Sequence, residues 1–205
     1  MNKTPQKLWY RPNMDRRTLM LAGASLLVAG PAYAATRKYL LDRENSTVGF
    51  SYVLNNQRLK GRMPVTSASI DLDVDRPANS KVTAVIDASR ADAGPFYATA
   101  AMKGEQVLDT RTFPTIRFES SRIQGTVRKA QIQGDLTIRD ITRRVTLDAT
   151  VFRQRDTEAG DRRKLSILMT GRIDRRAFGA SGYRNLVAPE ITLNILTRIT
   201  LEGAS

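Results

Sequence analysis

The sequence predicts an all-β antiparallel fold of about eight strands. Three observations predict it. Segment after segment alternates apolar and polar side chains with a period of two, the signature of strands with one buried face. Short clusters of Asn, Asp, Gly, Pro and Arg separate those segments. No stretch between them has the length and period of a crossover helix, so neighbouring strands run antiparallel.

The clearest signal is residues 134–155, GDLTIRDITRRVTLDATVFRQR. Leu136 and Ile138 alternate with Thr137 and Arg139, and Asp140, Ile141 and Thr142 interrupt. Alternation then resumes as Val145, Leu147, Ala149 and Val151. Two such runs about a short polar break read as a hairpin. A lone hairpin cannot bury its apolar face, so other strands must cover it.

They come on both sides. Tyr39 to Asp42 opens the folded part, and residues 47–54 place Val48, Phe50, Tyr52 and Leu54 on one face. Asn55-Asn56 marks a turn. Residues 57–63 read as a polar strand in which Gly61 signals a bulge, a bend or a close approach. Residues 68–74 and 81–88 form two further alternating runs about the turn 76–79. Residues 90–113 break the pattern. Helix formers from Ala98 to Leu108 predict one or two short helical turns inside a long excursion. Strands resume at 115–121, 130–139 and 145–152, and a charged loop covers 153–164. Residues 165–173 alternate, 175–189 are irregular, and 190–201 close the chain with Ile191, Leu193, Ile195, Ile199 and Leu201 on one face. A count near eight suits a closed barrel whose interior holds side chains or one small ligand; a two-sheet sandwich meets the same pattern.

The first 34 residues read as a leader. Residues 14–34, MDRRTLMLAGASLLVAGPAYA, carry Arg16-Arg17, a short apolar run, Pro31 and an A-x-A site that places cleavage after Ala34. The run is too short for a membrane span. Arg16-Arg17-Thr18-Leu19 resembles a twin-arginine signal, and a general secretory signal is the alternative. The expected location is the periplasm, and residues 35–205 are expected to form a single domain. Removing five cations and one carboxylate with the leader takes the net charge from +13 to +9.

The chain has no histidine and no cysteine. Imidazole-ligated metals, Ser-His-Asp triads, histidine bases, cysteine nucleophiles and iron–sulfur clusters are excluded. An enzyme on this fold would have to use Asp or Tyr chemistry. No catalytic residue, metal or cofactor is expected. Asp71 and Asp73 alternate onto a polar strand face and read as solvent-facing.

Tyr39-x-x-Asp42 with Ser46-Thr47-Val48-Gly49-Phe50, Leu59-x-Gly61, Ile86-Asp87-Ala88-Ser89, Phe113-Pro114-Thr115-Ile116-Arg117-Phe118, Gly134-Asp135-Leu136-Thr137-Ile138 through Thr142, and Arg175 with Phe178-Gly179 stand in the order and spacing of the YceI-like family. The resemblance covers about Tyr39 to Leu201. It implies a lipocalin-like barrel, capped at one end by the helical excursion, whose apolar tunnel holds a polyisoprenoid or a quinone-like amphiphile. Members often carry a His in the first strand, where this chain has residues 52–55, YVLN, and the family's turn Gly is Asp140 here.

Candidate ligand contacts are Phe50, Tyr52, Leu54, Phe118, Leu136, Ile138 and Met169 on apolar strand faces. Phe96, Tyr97, Met102, Leu108 and Phe113 join them from the excursion, and Phe178 and Tyr183 from the second irregular stretch. Alternation cannot separate tunnel wall from filled core, and a structural barrel without ligand meets it equally. The excursion reads as a lid that seals the barrel or touches ligand. Arg143-Arg144, the basic residues of 153–164, and Arg172, Arg175 and Arg176 read as a solvated face, as attraction to an anionic membrane surface, or as phosphate contacts. Nucleic acid is not an expected partner of an exported protein. The oligomeric state is open.

Overall fold

Eight antiparallel strands follow one another around a closed barrel, each paired with its sequence neighbours, and the first and last pair to close the ring. The computed structural model describes residues 36–126, 128–155 and 157–204. The leader therefore lies outside the described residues. The strands are β1 (Arg37–Leu54), β2 (Gln57–Leu72), β3 (Lys81–Asp87), β4 (Thr115–Gly125), β5 (Lys129–Ile138), β6 (Ile141–Arg153), β7 (Lys164–Asp174) and β8 (Glu190–Leu201). One helix, α1 (Phe96–Lys103), interrupts the meander between β3 and β4. Short 3₁₀ turns lie at Pro77–Asn79 and Arg175–Phe178.

The alternating runs 57–63 and 68–74 are one strand rather than two. A register irregularity between Val65 and Ser67 switches the inward side from odd positions (Met63, Val65) to even ones (Ala68, Ile70, Leu72), so the alternation breaks while the strand continues. The same switch occurs in β1, between inward Tyr39 and Leu41 and inward Val48 and Phe50. It recurs in β4, between Phe118 and Ile123. Serines repair the ladder at two of these points. The Arg198 amide donates to Ser46 Oγ (2.9 Å), and the Val82 amide donates to Ser120 Oγ (2.8 Å). Strands β5 to β8 keep an unbroken register.

Two tight hairpins use left-handed residues. Asn55 and Asn56 join β1 to β2 at φ 48° and 63°, a conformation Asn tolerates. Arg139 and Asp140 join β5 to β6 at φ 52° and 59°, a conformation Asp tolerates better than Arg and glycine better than either. The turn thus comes one residue earlier than the sequence break at 140–142 predicts. The Arg139 guanidinium donates to the carbonyls of Val107 (3.1 Å) and Gly179 (2.8 Å), tying this turn to both irregular segments at the same barrel end.

Asp73 is buried, against the solvent-facing reading. Strand β2 ends at Leu72, and the chain folds back so that the Asp73 carboxylate accepts from the amides of Asp75 and Arg76 and from Asn79 Nδ2. These hydrogen bonds, the Asn79 contact first, hold its carboxyl below the usual carboxylate range.

Candidate ligand cavity

Inward side chains of all eight strands surround an apolar cavity of about 270 Å³. It runs from Met102, Leu108 and Ile173 at the α1 end to Val74, Pro77 and Thr126 at the opposite end. Three inward glycines keep it from filling. A Cβ on Gly134 would stand 2.5 Å from Phe118 Cζ, and one on Gly171 would stand 2.6 Å from Leu147 Cδ2. A Cβ on Gly61 would collide with the ring of Phe50. Each large side chain therefore lies flat across the neighbouring strand instead of projecting into the lumen. The sequence marks Gly61 as a place of close approach, and the approaching group is Phe50.

A second cavity of about 260 Å³ adjoins the first under α1. Phe50, Met102, Val107, Arg175 and Ile191 line both. Its remaining wall is more mixed and includes Tyr52, Asn55, Tyr97 and Tyr183. The Tyr52 hydroxyl donates to the Ala93 carbonyl at 2.7 Å, and burial pushes its phenol pKa up. An apolar lumen at one end and hydroxyl-, amide- and guanidinium-bearing walls at the other give the interior a direction.

Arg175, read from the sequence as solvated, membrane-attracted or phosphate-contacting, was not among the candidate cavity residues, yet it lines both cavities. It is only 6 % exposed and stands where the two cavities meet. Its guanidinium donates to the carbonyls of Ala188 (3.2 Å), Ala180 (2.6 Å) and Val187 (3.0 Å). No carboxylate pairs with it among the described residues, because neighbouring Asp174 is taken by Arg176 at 2.7 Å. Burial lowers the Arg175 pKa, yet an arginine stays charged. The sequence signal was the R-x-x-F-G run itself, which placed Arg175 among other basic residues without showing that it points inward.

The candidate contacts divide by position. Phe50, Met102, Leu108, Phe118, Leu136 and Met169 line the first cavity; Tyr52, Leu54, Tyr97 and Tyr183 line the second, with Phe50 and Met102 shared. Four stand elsewhere. Ile138 and Phe178 are buried among the side chains that close the barrel end, outside both cavity walls. Phe113 is half-buried away from both. Phe96 is 89 % exposed. On α1 the cavity-lining residues are Tyr97, Ala98, Ala101 and Met102, and at about 100° per residue Phe96 falls on the opposite face. Five of the ten basic residues singled out from the sequence are paired at the surface: Arg144 with Asp135 (2.8 Å), Arg162 with Asp75 (2.6 Å), Arg163 with Asp161 (2.9 Å), Arg172 with Glu190 (3.8 Å) and Arg176 with Asp174 (2.7 Å).

A closed eight-stranded barrel around an elongated apolar lumen defines the class: a barrel binding protein. Comparison with known proteins gives the family. The YceI-like domain matches residues 39–199, and the chain belongs to that family. A UPF0312 protein of Photorhabdus laumondii is 28 % identical over 142 residues, covering 68 % of this chain and 74 % of that one. Protein YceI of Escherichia coli O157:H7 is 28 % identical over 152 residues, covering 73 % and 80 %. Among solved structures, BcnA of Burkholderia cenocepacia superposes with a TM-score of 0.67 at 23 % identity, over 77 % of this chain and 98 % of that one. A polyisoprenoid binding domain from Saccharophagus degradans superposes at 0.59 and 12 % identity, over 80 % and 99 %. At these identities the two structures show the shared fold.

Proposed function

We propose that this protein is an exported carrier that holds a polyisoprenoid, or a similar long-chain amphiphile such as a quinone, with its tail along the barrel axis. The observation that carries the reading is the continuous apolar lumen kept open by Gly61, Gly134 and Gly171. Each buried methylene contributes about 0.8 kcal/mol, so retention climbs with chain length until the lumen is full. The tail occupies the first cavity, and the head lies in the second beside Tyr52, Asn55 and Arg175. Membership of a polyisoprenoid binding domain among the structural neighbours supports the ligand class.

A binding role is favoured over catalysis. Among the described residues, the charged side chains lining the two cavities are Asp73 and Arg175, at opposite ends and each engaged by its own loop. Among the described residues, no carboxylate lines the second cavity beside Tyr52, Tyr97 and Tyr183. The leader directs the chain to the periplasm, with removal after Ala34.

Native mass spectrometry of the protein recovered from the periplasm, followed by organic extraction, tests the reading. A discrete adduct of isoprenoid mass on a chain beginning at Ala35 is the expected result. A ligand-free mass that stays ligand-free when polyprenyl phosphate and quinone are added in turn overturns it.

A further inference from the structure

Four of the large apolar side chains left exposed gather at one place. Phe96, 89 % exposed, and Tyr97, 67 % exposed, sit on α1; Tyr183 and Leu186 sit on the facing loop. Tyr97, Tyr183 and Leu186 also line the second cavity, so the cluster rims its mouth. The two sides of the rim are held at fixed positions. The Asn55 amide donates to the Leu186 carbonyl at 2.9 Å, the Thr99 amide donates to the Pro95 carbonyl at 2.9 Å, and Tyr52 holds Ala93.

Exposed cations accompany these side chains. Arg58 and Lys60 stand at the start of β2, beside the Asn55-Asn56 turn, and a Cβ on Gly94 would reach within 3.2 Å of the Lys60 carbonyl. Arg184 lies between Tyr183 and Leu186. Among the described residues none of the three forms an ion pair, and neither do Arg37, Lys38, Lys129 and Lys164 at the far end, so it is the adjoining aromatics that set this end apart. Uncompensated cations around protruding aromatics match a bilayer interface. Aromatic rings settle at the headgroup level, and Lys and Arg are drawn to anionic lipid.

We infer that the α1 end of the barrel is the face that docks on an anionic lipid bilayer, with Phe96 as the leading wedge and Tyr97, Tyr183 and Leu186 seated at the headgroup level. The inference rests on the carrier reading for its purpose, since this face opens the second cavity directly toward the lipid that supplies the ligand. A polar helix face would serve as well if α1 were only a lid. Helix α1 instead turns the apolar ring of Phe96 fully outward, while Tyr97, Ala98, Ala101 and Met102 line the cavity.

Trp9 is the chain's sole tryptophan, so residues 35–205, which contain the whole closed barrel and its cores, are free of it. A chain of those residues carrying Phe96→Trp has one reporter at the wedge. The control is Phe152→Trp, at an exposed position in β6. With vesicles of phosphatidylethanolamine and phosphatidylglycerol, emission of Phe96→Trp is expected to shift to the blue while that of Phe152→Trp stays put. Pure phosphatidylcholine vesicles are expected to give a much smaller shift. The doubly substituted Phe96→Ser, Arg184→Glu chain, whose changes lie outside both cavity walls, is expected to sediment with anionic vesicles at least about tenfold more weakly, with unchanged thermal unfolding. Unchanged Phe96→Trp emission, or vesicle binding that survives the double substitution, overturns the inference. A blue shift that grows with protein concentration in the absence of vesicles overturns it in favour of a second copy covering the face. Lipid content measured by native mass spectrometry on the same samples tests the carrier reading separately.

Discussion

At the scale of single residues, Arg175 and the inward glycines decide what the barrel end and the lumen look like. Arg175 spans three carbonyls of residues 180–188 with a planar fork. A lysine presents one tetrahedral ammonium and cannot reach all three. Arg175→Lys and Arg175→Ala are therefore both expected to lower unfolding free energy, by about 3 kcal/mol, because several buried carbonyls lose their donor together. Urea unfolding measures the loss; equal stability of the Lys variant and the parent would show that the fork is unimportant. Gly134 makes the complementary case for the lumen. In Gly134→Val the new side chain occupies the place of the Phe118 ring and drives it inward. The variant is expected to lose about 1–3 kcal/mol from overpacking and to retain only shorter chains than the parent in a native mass spectrum of a polyprenol series. Retention of the same longest chain would mean that Phe118 does not bound the tunnel.

At the scale of elements, the bulges and the tight turns explain what the sequence could and could not disclose. Strands β5, β7 and β8 were legible to within a residue because their alternation is unbroken, whereas β6 begins at Ile141, four residues before the alternation at 145 announces it. Strand β2 read as two pieces because parity reverses near Ser67, and a period-two pattern carries no sign of whether the backbone continues through such a point. The cavity-lining strand residues were legible for the same reason as the strands. The irregular segments were legible only in part: Tyr97, Met102, Leu108 and Tyr183 line a cavity, helical phase turns Phe96 outward, and Phe113 stands beyond the helix, where no period reports its direction. Arg175 was invisible as an inward group because charge normally reports a surface. The Arg139-Asp140 turn carries a prediction at this scale. Both residues sit at positive φ, and glycine adopts that conformation without the Cβ penalty. Asp140→Gly is expected to stabilise the hairpin by about 0.5–1 kcal/mol, seen as a higher thermal midpoint. Ser120→Ala is expected to do the reverse by about 1 kcal/mol, since the Val82 amide loses its Ser120 Oγ partner at the β4 bulge.

At the scale of the whole molecule, the charge distribution sets how stability responds to pH. Three carboxylates titrate low. The Arg176 side chain and amide hold Asp174 down from 3.8 to about 2. Hydrogen bonds from Asn79 and the Arg76 amide lower Asp73, and those from Arg163 lower Asp161. A carboxylate depressed in the folded state adds stability that is complete above its unfolded pKa and disappears as pH falls through the folded value. The loss therefore falls between about pH 4 and pH 2 and comes from turns at both ends of the barrel together. At the alkaline side the direction reverses. Burial raises Tyr39 and Tyr52 above 10.0, so their neutral phenols favour the fold fully below that value and cease to do so as pH climbs through the raised one. With no histidine or cysteine to titrate between these limits, the urea midpoint is expected to stay level from about pH 5 to pH 9 and to fall on both flanks. Tyr52→Phe separates the alkaline contributors. It removes one of the two phenols, and with it the Ala93 hydrogen bond, so the variant starts about 1 kcal/mol lower at neutral pH and declines less steeply above pH 10. A parent midpoint that moved within the level range, or an alkaline decline identical in Tyr52→Phe, would assign the pH response to groups other than these.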